Sequence, residues 1–138
     1  MGAAGQRSEV EGGAKTVDQN GGSYPRMFRP PYGAWNARTI KELRRHRMLM
    51  VLWSVTSRDW TSPGMPAIAA KVIREVRPGA IVLLHDFGGV TREPTLHAIP
   101  RIVHALRRRG YRFVTVPEML RRAPPRRRPP RPSSPYPA

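Results

Sequence analysis

Cysteine is absent from this 138-residue chain. That excludes disulfides, thiolate metal sites and a cysteine nucleophile, and leaves the compartment open. Lysine is scarce, with only Lys15, Lys41 and Lys71, so nearly all of the cationic charge is arginine. Acid is scarce too: nine Asp and Glu stand against 25 Lys and Arg. No apolar run approaches the ~20 residues that a membrane helix requires. The start, Met1 to Gly13, has no apolar h-region, so no secretory signal is expected there and the chain as written reads as cytoplasmic. Gln6 stands where a myristoylation site would carry Ser or Thr.

What is present is unevenly placed. Formal net charge is +16. Residues 1–27 are neutral, residues 28–118 carry +10, and residues 119–138 carry +6 with no acid. This balance favours contact with polyanions such as nucleic acid, anionic membrane or anionic wall polymer. An excess of Arg, Ala, Gly and Pro also follows from GC-rich coding. Residues 1–27 are rich in Gly, Ala, Ser and Gln with no clear period, and are expected to be disordered. Residues 122–138 form a Pro/Arg tail, expected to be extended and available for weak polyanion contact.

Between the ends, apolar segments alternate in type. Met27–Arg29 reads as a strand end running into Pro30-Pro31. Asn36 suits the N-cap of a helix to about Arg47, with Ile40 and Leu43 inward. Met48–Val55 is a continuous apolar run, as in a buried strand. Pro66 can open a helix whose inner face is Ile68, Val72, Ile73 and Val76, ended by Pro78-Gly79. Ala80–Leu84 is a second buried strand. A third helix spans about Glu93 to Arg109 with a stripe of Leu96, Ile99, Ile102, Val103 and Leu106, and Pro100 is expected to break or restart it. Gly110 is its C-cap, Arg112–Val116 a last strand, and Pro117–Leu120 a closing helical turn. Buried strands alternating with helices argue a parallel α/β sheet with right-handed crossovers. The pattern fits a small open sheet or about half of a (β/α) barrel.

Polar chemistry sits at the strand ends. Arg29-Pro30-Pro31-Tyr32-Gly33 follows the first strand, Ser57-Arg58-Asp59-Trp60 the second, and His85-Asp86 the third. In parallel α/β folds the strand C-termini share one edge, where ligands bind. Topology alone therefore expects Arg29, Tyr32, Asp59, Trp60, His85 and Asp86 on one rim. Each has an ordinary structural reading as well: a strand-end His is often simply hydrogen-bonded, an Asp there is often a turn former, and a Trp is often core. Three consecutive strands ending in such residues favour the functional reading. His46, His97 and His104 fall on expected helices and read as structural. Asp59, His85 and Asp86 alone fall short of a convergent metal set, so no metal site is expected within this chain.

These motifs resemble the polysaccharide deacetylase (NodB-homology) family. Arg29-Pro30-Pro31-Tyr32-Gly33 is similar to its third motif, the Asp59-Trp60 pair after a strand to its fourth, and Leu83-Leu84-His85 to its fifth. Gly110–Leu120 is similar to its closing strand. The likeness covers residues 28–121 and implies about half of a distorted (β/α) barrel. It further implies hydrolysis of the N-acetyl amide C–N bond in acetylated sugars, with a divalent metal such as zinc. Under the resemblance His85 would be the general acid, Asp59 would hold and tune it, and Arg29 would orient the base carboxylate. The Tyr32 N–H would help stabilise the oxyanion, and Leu83 and Trp60 would wall the pocket for the acetyl methyl. The family's Thr-Phe-Asp-Asp-Gly and His-x-x-x-His motifs, which supply base and metal ligands, do not occur before Arg29, and Thr16–Gly21 echoes the first only faintly. The chain is therefore expected to hold no cofactor and to be inactive unaided. A non-catalytic remnant that binds sugar through Trp60 and Tyr32, or a basic polyanion-binding protein, are the alternatives. Half a barrel also leaves sheet edges open, so the isolated chain is expected to be a loose monomer or to self-associate through Met27–Arg29 or Arg112–Val116.

Overall fold

The computed structural model describes residues 3–21, 23–88 and 91–122. They fall into two compact units, one ending at Leu52 and the other beginning at Trp53.

The first unit opens with a helix, α1 (Ala3–Gly21), followed by strand β1 (Met27–Phe28), helix α2 (Ala37–Arg45) and strand β2 (Leu49–Met50). The helix corrects the expectation that residues 1–27 are disordered. Gly12 and Gly13 cost about 1 kcal/mol each relative to Ala inside a helix, and local propensity does not hold α1 together. Tertiary burial does: Val10 and Ala14, four residues apart on one face, pack with Leu43 and Met48. Arg7 adds an ion-pair contact to the buried Glu42 at 3.7 Å, and Lys15 pairs with Glu11 at 2.9 Å.

Asn36 caps α2 as its side-chain chemistry leads one to expect. Its Oδ1 accepts from the N–H groups of Arg38 (3.0 Å) and Thr39 (3.1 Å), and Thr39 Oγ1 accepts from the Asn36 N–H at 3.2 Å. The helix ends through Arg47, at φ 52°, in the left-handed region usually left to glycine. Arg47 N–H donates to Arg44 and Met48 N–H to Leu43, which turns Met48 inward. β1 and β2 pair in parallel, Met27 with Leu49 and Phe28 with Met50.

The second unit contains β3 (Val55–Thr56), α3 (Met65–Glu75), β4 (Val82–Leu83), α4 (Glu93–Arg108) and α5 (Val116–Arg122). β3 and β4 pair in parallel, Val55 with Val82 and Thr56 with Leu83. The apolar run Met48–Val55 is thus not one strand. Its first part pairs with β1 and its last residue opens β3, with no ladder between.

The core of this unit is Val55, Ile68, Ala69, Val72, Val76, Ala98, Ile102 and Leu106. Ile68 and Val72 of α3 have no exposed surface. The inward face of α4 is Thr95, Ala98, Ile102 and Leu106, one position round from the expected stripe, and Leu96 and Ile99 are exposed. Pro100 lies inside α4 without ending it. It removes one backbone hydrogen bond, but Ile102 and Leu106 beyond it are buried, which offsets that loss. Gly110, at φ 82°, closes α4, with its N–H on Arg107 and the Tyr111 N–H on Leu106.

Arg112–Val116 also departs from the expected strand. Among the described residues 112–115 are not assigned to a strand, and Phe113 and Val114 are exposed. A β-prone segment becomes a strand only against a hydrogen-bonded neighbour. Instead it borders an apolar hollow of about 470 Å³, whose other walls include Ile81, Val82, Ile102 and Leu106. Of the tail expected to be extended, residues 123–138 lie outside the described residues. No helix among the described residues is long and apolar enough to cross a membrane.

Candidate active site

The parallel pairing of β3 and β4 sets the site. Both strands end at the same edge, so the residues just beyond them, Ser57 to Trp60 and His85, meet there. The chain after β3 turns sharply through Arg58, at φ 56°, into a short 3-10 turn at Asp59–Thr61. That turn points the Asp59 carboxylate inward, where it is only 2% exposed.

A buried carboxylate needs donors, and Asp59 has four. Its Oδ1 accepts from Ser57 Oγ (2.9 Å) and pairs with His85 Nδ1 (2.8 Å), while its Oδ2 accepts from the His85 backbone N–H (2.7 Å) and Thr95 Oγ1 (3.1 Å). Burial pushes the Asp59 carboxyl upward. The hydrogen bonds from the His85 ring and backbone and from Ser57 outweigh it, and the carboxyl stays below the ordinary carboxylate range. An ionised Asp59 requires the proton of a neutral His85 to sit on Nδ1, which leaves Nε2 as the atom that exchanges protons. His85 is partly exposed. The Trp60 indole meets its ring edge-on, with centroids 5.4 Å apart.

Leu83 is buried beside this edge and Asp86 is exposed. Arg29 and Tyr32 belong to the first unit. There Pro30 is buried, Arg29 is exposed, and Tyr32 stands 84% exposed with φ 56°. The turn is closed by Gly33 N–H on Pro30 and Ala34 N–H on Pro31, both at 3.0 Å. Of the six residues expected on one rim, the second unit brings Asp59, Trp60 and His85 into mutual contact.

Three residues of the site had no sequence signal assigned to them. Ser57 lies in the loop after β3, two residues before Asp59, a spacing at which its hydroxyl can cap the turn. Thr95 and Arg92 come from the start of α4 and nothing local marks them. Arg92 reaches the backbone carbonyls of Asp59 (3.5 Å) and Gly88. Of the helical histidines, His46 bonds the Tyr24 hydroxyl at 2.8 Å, while His97 and His104 are exposed.

Among the described residues no three His, Cys, Asp or Glu side chains converge to hold a metal ion. Both oxygens of Asp59 are already engaged by protein donors. The residues here do not fit a metal's first coordination shell.

The chain is similar to known proteins over much of its length. A family model described as polysaccharide deacetylase matches residues 1–51, a stretch that includes α1. A peptidoglycan-N-acetylglucosamine deacetylase of Bacillus cereus is 43% identical over 99 residues, which is 70% of this chain and 46% of the relative. A chitooligosaccharide deacetylase of Bradyrhizobium is 35% identical over 105 residues, covering 69% of this chain and 48% of the relative. Among solved structures, a family 4 carbohydrate esterase from Streptomyces lividans in complex with acetate superposes with a TM-score of 0.72 at 34% identity, over 80% of this chain and 55% of that one. A peptidoglycan N-acetylglucosamine deacetylase superposes with a TM-score of 0.82 at 27% identity, over 86% and 56%. The chain spans about half the length of the curated relatives it matches. With its strand-end motifs, its parallel strand pairs and these likenesses, the chain belongs to the polysaccharide deacetylase family and carries part of that family's domain.

Proposed function

We propose that this chain supplies the proton-donating side of an amide hydrolysis that removes acetyl groups from N-acetylated sugars of a polysaccharide. The observation that carries the reading is the Asp59–His85 pair. Its ring contact is 2.8 Å, and the His85 backbone N–H locks the second carboxylate oxygen at 2.7 Å. Both residues stand at the shared end of two parallel strands.

In the reaction a water oxygen bonds to the acetyl carbonyl carbon, the C–N bond breaks, and acetate and a free amine leave. The amine departs only if its nitrogen gains a proton, which His85 Nε2 delivers. Asp59 holds the ring so that Nε2 faces outward. Trp60, edge-on to His85, and Leu83 wall the space for the acetyl methyl. The attacking water gives up its proton to a base outside this pair. The family is metal-dependent. The residues described here do not fit that metal.

N-acetylglucosamine oligomers titrated into the full chain test the reading by NMR. Shifts should appear first at the Trp60 indole and the His85 ring, and Trp60→Ala should abolish them. Unmoved Trp60 and His85 signals at millimolar sugar would overturn it. Any acetate release by the chain is expected to vanish in His85→Asn.

A further inference from the structure

Asp59 is held from two directions. Ser57 and His85 belong to the loops after β3 and β4, the same loops that carry the site. Thr95 does not: it sits in the first turn of α4, 36 residues from Asp59 in sequence. It is 2% exposed, so its hydroxyl is cut off from water and must find its partner within the protein. A helical threonine commonly bonds the carbonyl four residues back. Here the hydroxyl reaches Asp59 Oδ2 at 3.1 Å.

The geometry points to Thr95 as a positioning residue of this site, whose hydroxyl anchors Asp59 Oδ2 on helix α4 and thereby aims Oδ1 at His85 Nδ1. The inference rests on the proton-delivery reading of His85. An aspartate carboxylate turns about a soft, two-fold torsion, so two contacts on one oxygen do not fix its plane. Without Thr95 the other oxygen would be held only by the backbone of His85, the residue it has to orient. Thr95 ties the carboxylate to an element outside the pair. The start of α4 grips the same loops a second time, because Arg92 donates to the carbonyls of Asp59 and Gly88. Among the described residues, the titratable and charged groups facing Asp59 are His85 from the end of β4 and Arg92 from the start of α4.

The test follows the Asp59 carboxyl carbon by NMR through an acid titration of the full chain. Thr95→Val keeps the shape of the side chain and removes the donor, so the ionised carboxylate loses a hydrogen bond. Its midpoint should rise by about one pH unit. Thr95→Ser restores the donor and should return the midpoint to that of the unmodified chain. An unchanged midpoint in Thr95→Val, or an equal rise in Thr95→Ser, would overturn the inference by assigning the effect to packing. A measurement on the unmodified chain guards against a variant that fails to fold. The Thr95 hydroxyl proton should be protected from exchange while Asp59 is ionised and lose that protection as Asp59 titrates. A freely exchanging hydroxyl would also overturn it. Failure of sugar binding would remove the catalytic reading and leave these two results untouched, so the two ideas fail separately.

Discussion

Replacing Asp59 by Asn separates the charge of this carboxylate from its shape. The four contacts leave Asn few choices. If its oxygen takes the place of Oδ1, its NH2 group faces the His85 backbone N–H, and a buried donor is orphaned. Such an orphan costs about 1–3 kcal/mol. If its oxygen takes the place of Oδ2, it accepts from the His85 N–H and from Thr95, and the NH2 group faces Ser57 Oγ and His85 Nδ1. Ser57 can accept by rotating its hydroxyl. His85 can accept only by moving its proton to Nε2. The second arrangement keeps the His85 N–H and the Thr95 hydroxyl paired and gives up only the acceptor of the Ser57 hydroxyl proton, so it wins. Asp59→Asn should therefore stay folded, losing no more than about 1–3 kcal/mol as charge-assisted bonds become neutral ones. The tautomer of neutral His85 should invert, from Nδ1–H to Nε2–H. Protonating such a ring would set its Nδ1–H against the NH2 group, so proton delivery fails, and loss of a general acid is worth about 10²–10⁴ in rate. Long-range ¹H–¹⁵N correlation of the imidazoles reads the tautomer directly. His85→Gln identifies the signal among the chain's four histidines. A variant whose neutral His85 keeps its proton on Nδ1 would refute the reasoning, as would one that loses cooperative folding.

Other outcomes follow from the same structure. Because Asp59 titrates below the ordinary value in the folded chain, its contribution to stability is complete above about pH 4 and fades as pH falls through the lower folded midpoint. Denaturant melts from pH 6 to pH 2 should show this loss, and Asp59→Asn should show less of it. Arg47 adopts φ 52° at the end of α2, so Arg47→Gly should stabilise the first unit by roughly 1 kcal/mol in urea unfolding. Val10→Asp, which puts a charge into the α1–α2 contact, should erase the circular dichroism of α1. Val17→Asp, on the 48% exposed face of the same helix, should leave it intact.

The sequence determined the parts whose causes are local. Asn36 names itself as a cap by its side-chain oxygen, Pro66 opens α3 where its missing N–H costs nothing, and Gly110 closes α4 because only glycine adopts that φ without strain. The loop chemistry of Asp59, Trp60 and His85 was equally legible, because strand ends in a parallel sheet share an edge. What depended on neighbours was not. The run Met48–Val55 is uniformly apolar, and only the presence of β1 beside one end and β4 beside the other divides it. A Gly-rich segment becomes α1 because Leu43 and Met48 offer Val10 and Ala14 a surface, a partner no window of α1 contains. Arg112–Val116 has strand-forming residues, but 112–115 pair with no described strand, since propensity supplies no hydrogen-bond acceptor. Thr95 shows the limit most clearly. Its part in the site depends on α4 presenting one hydroxyl 3.1 Å from a carboxylate 36 residues away, a distance that burial and packing set and composition does not.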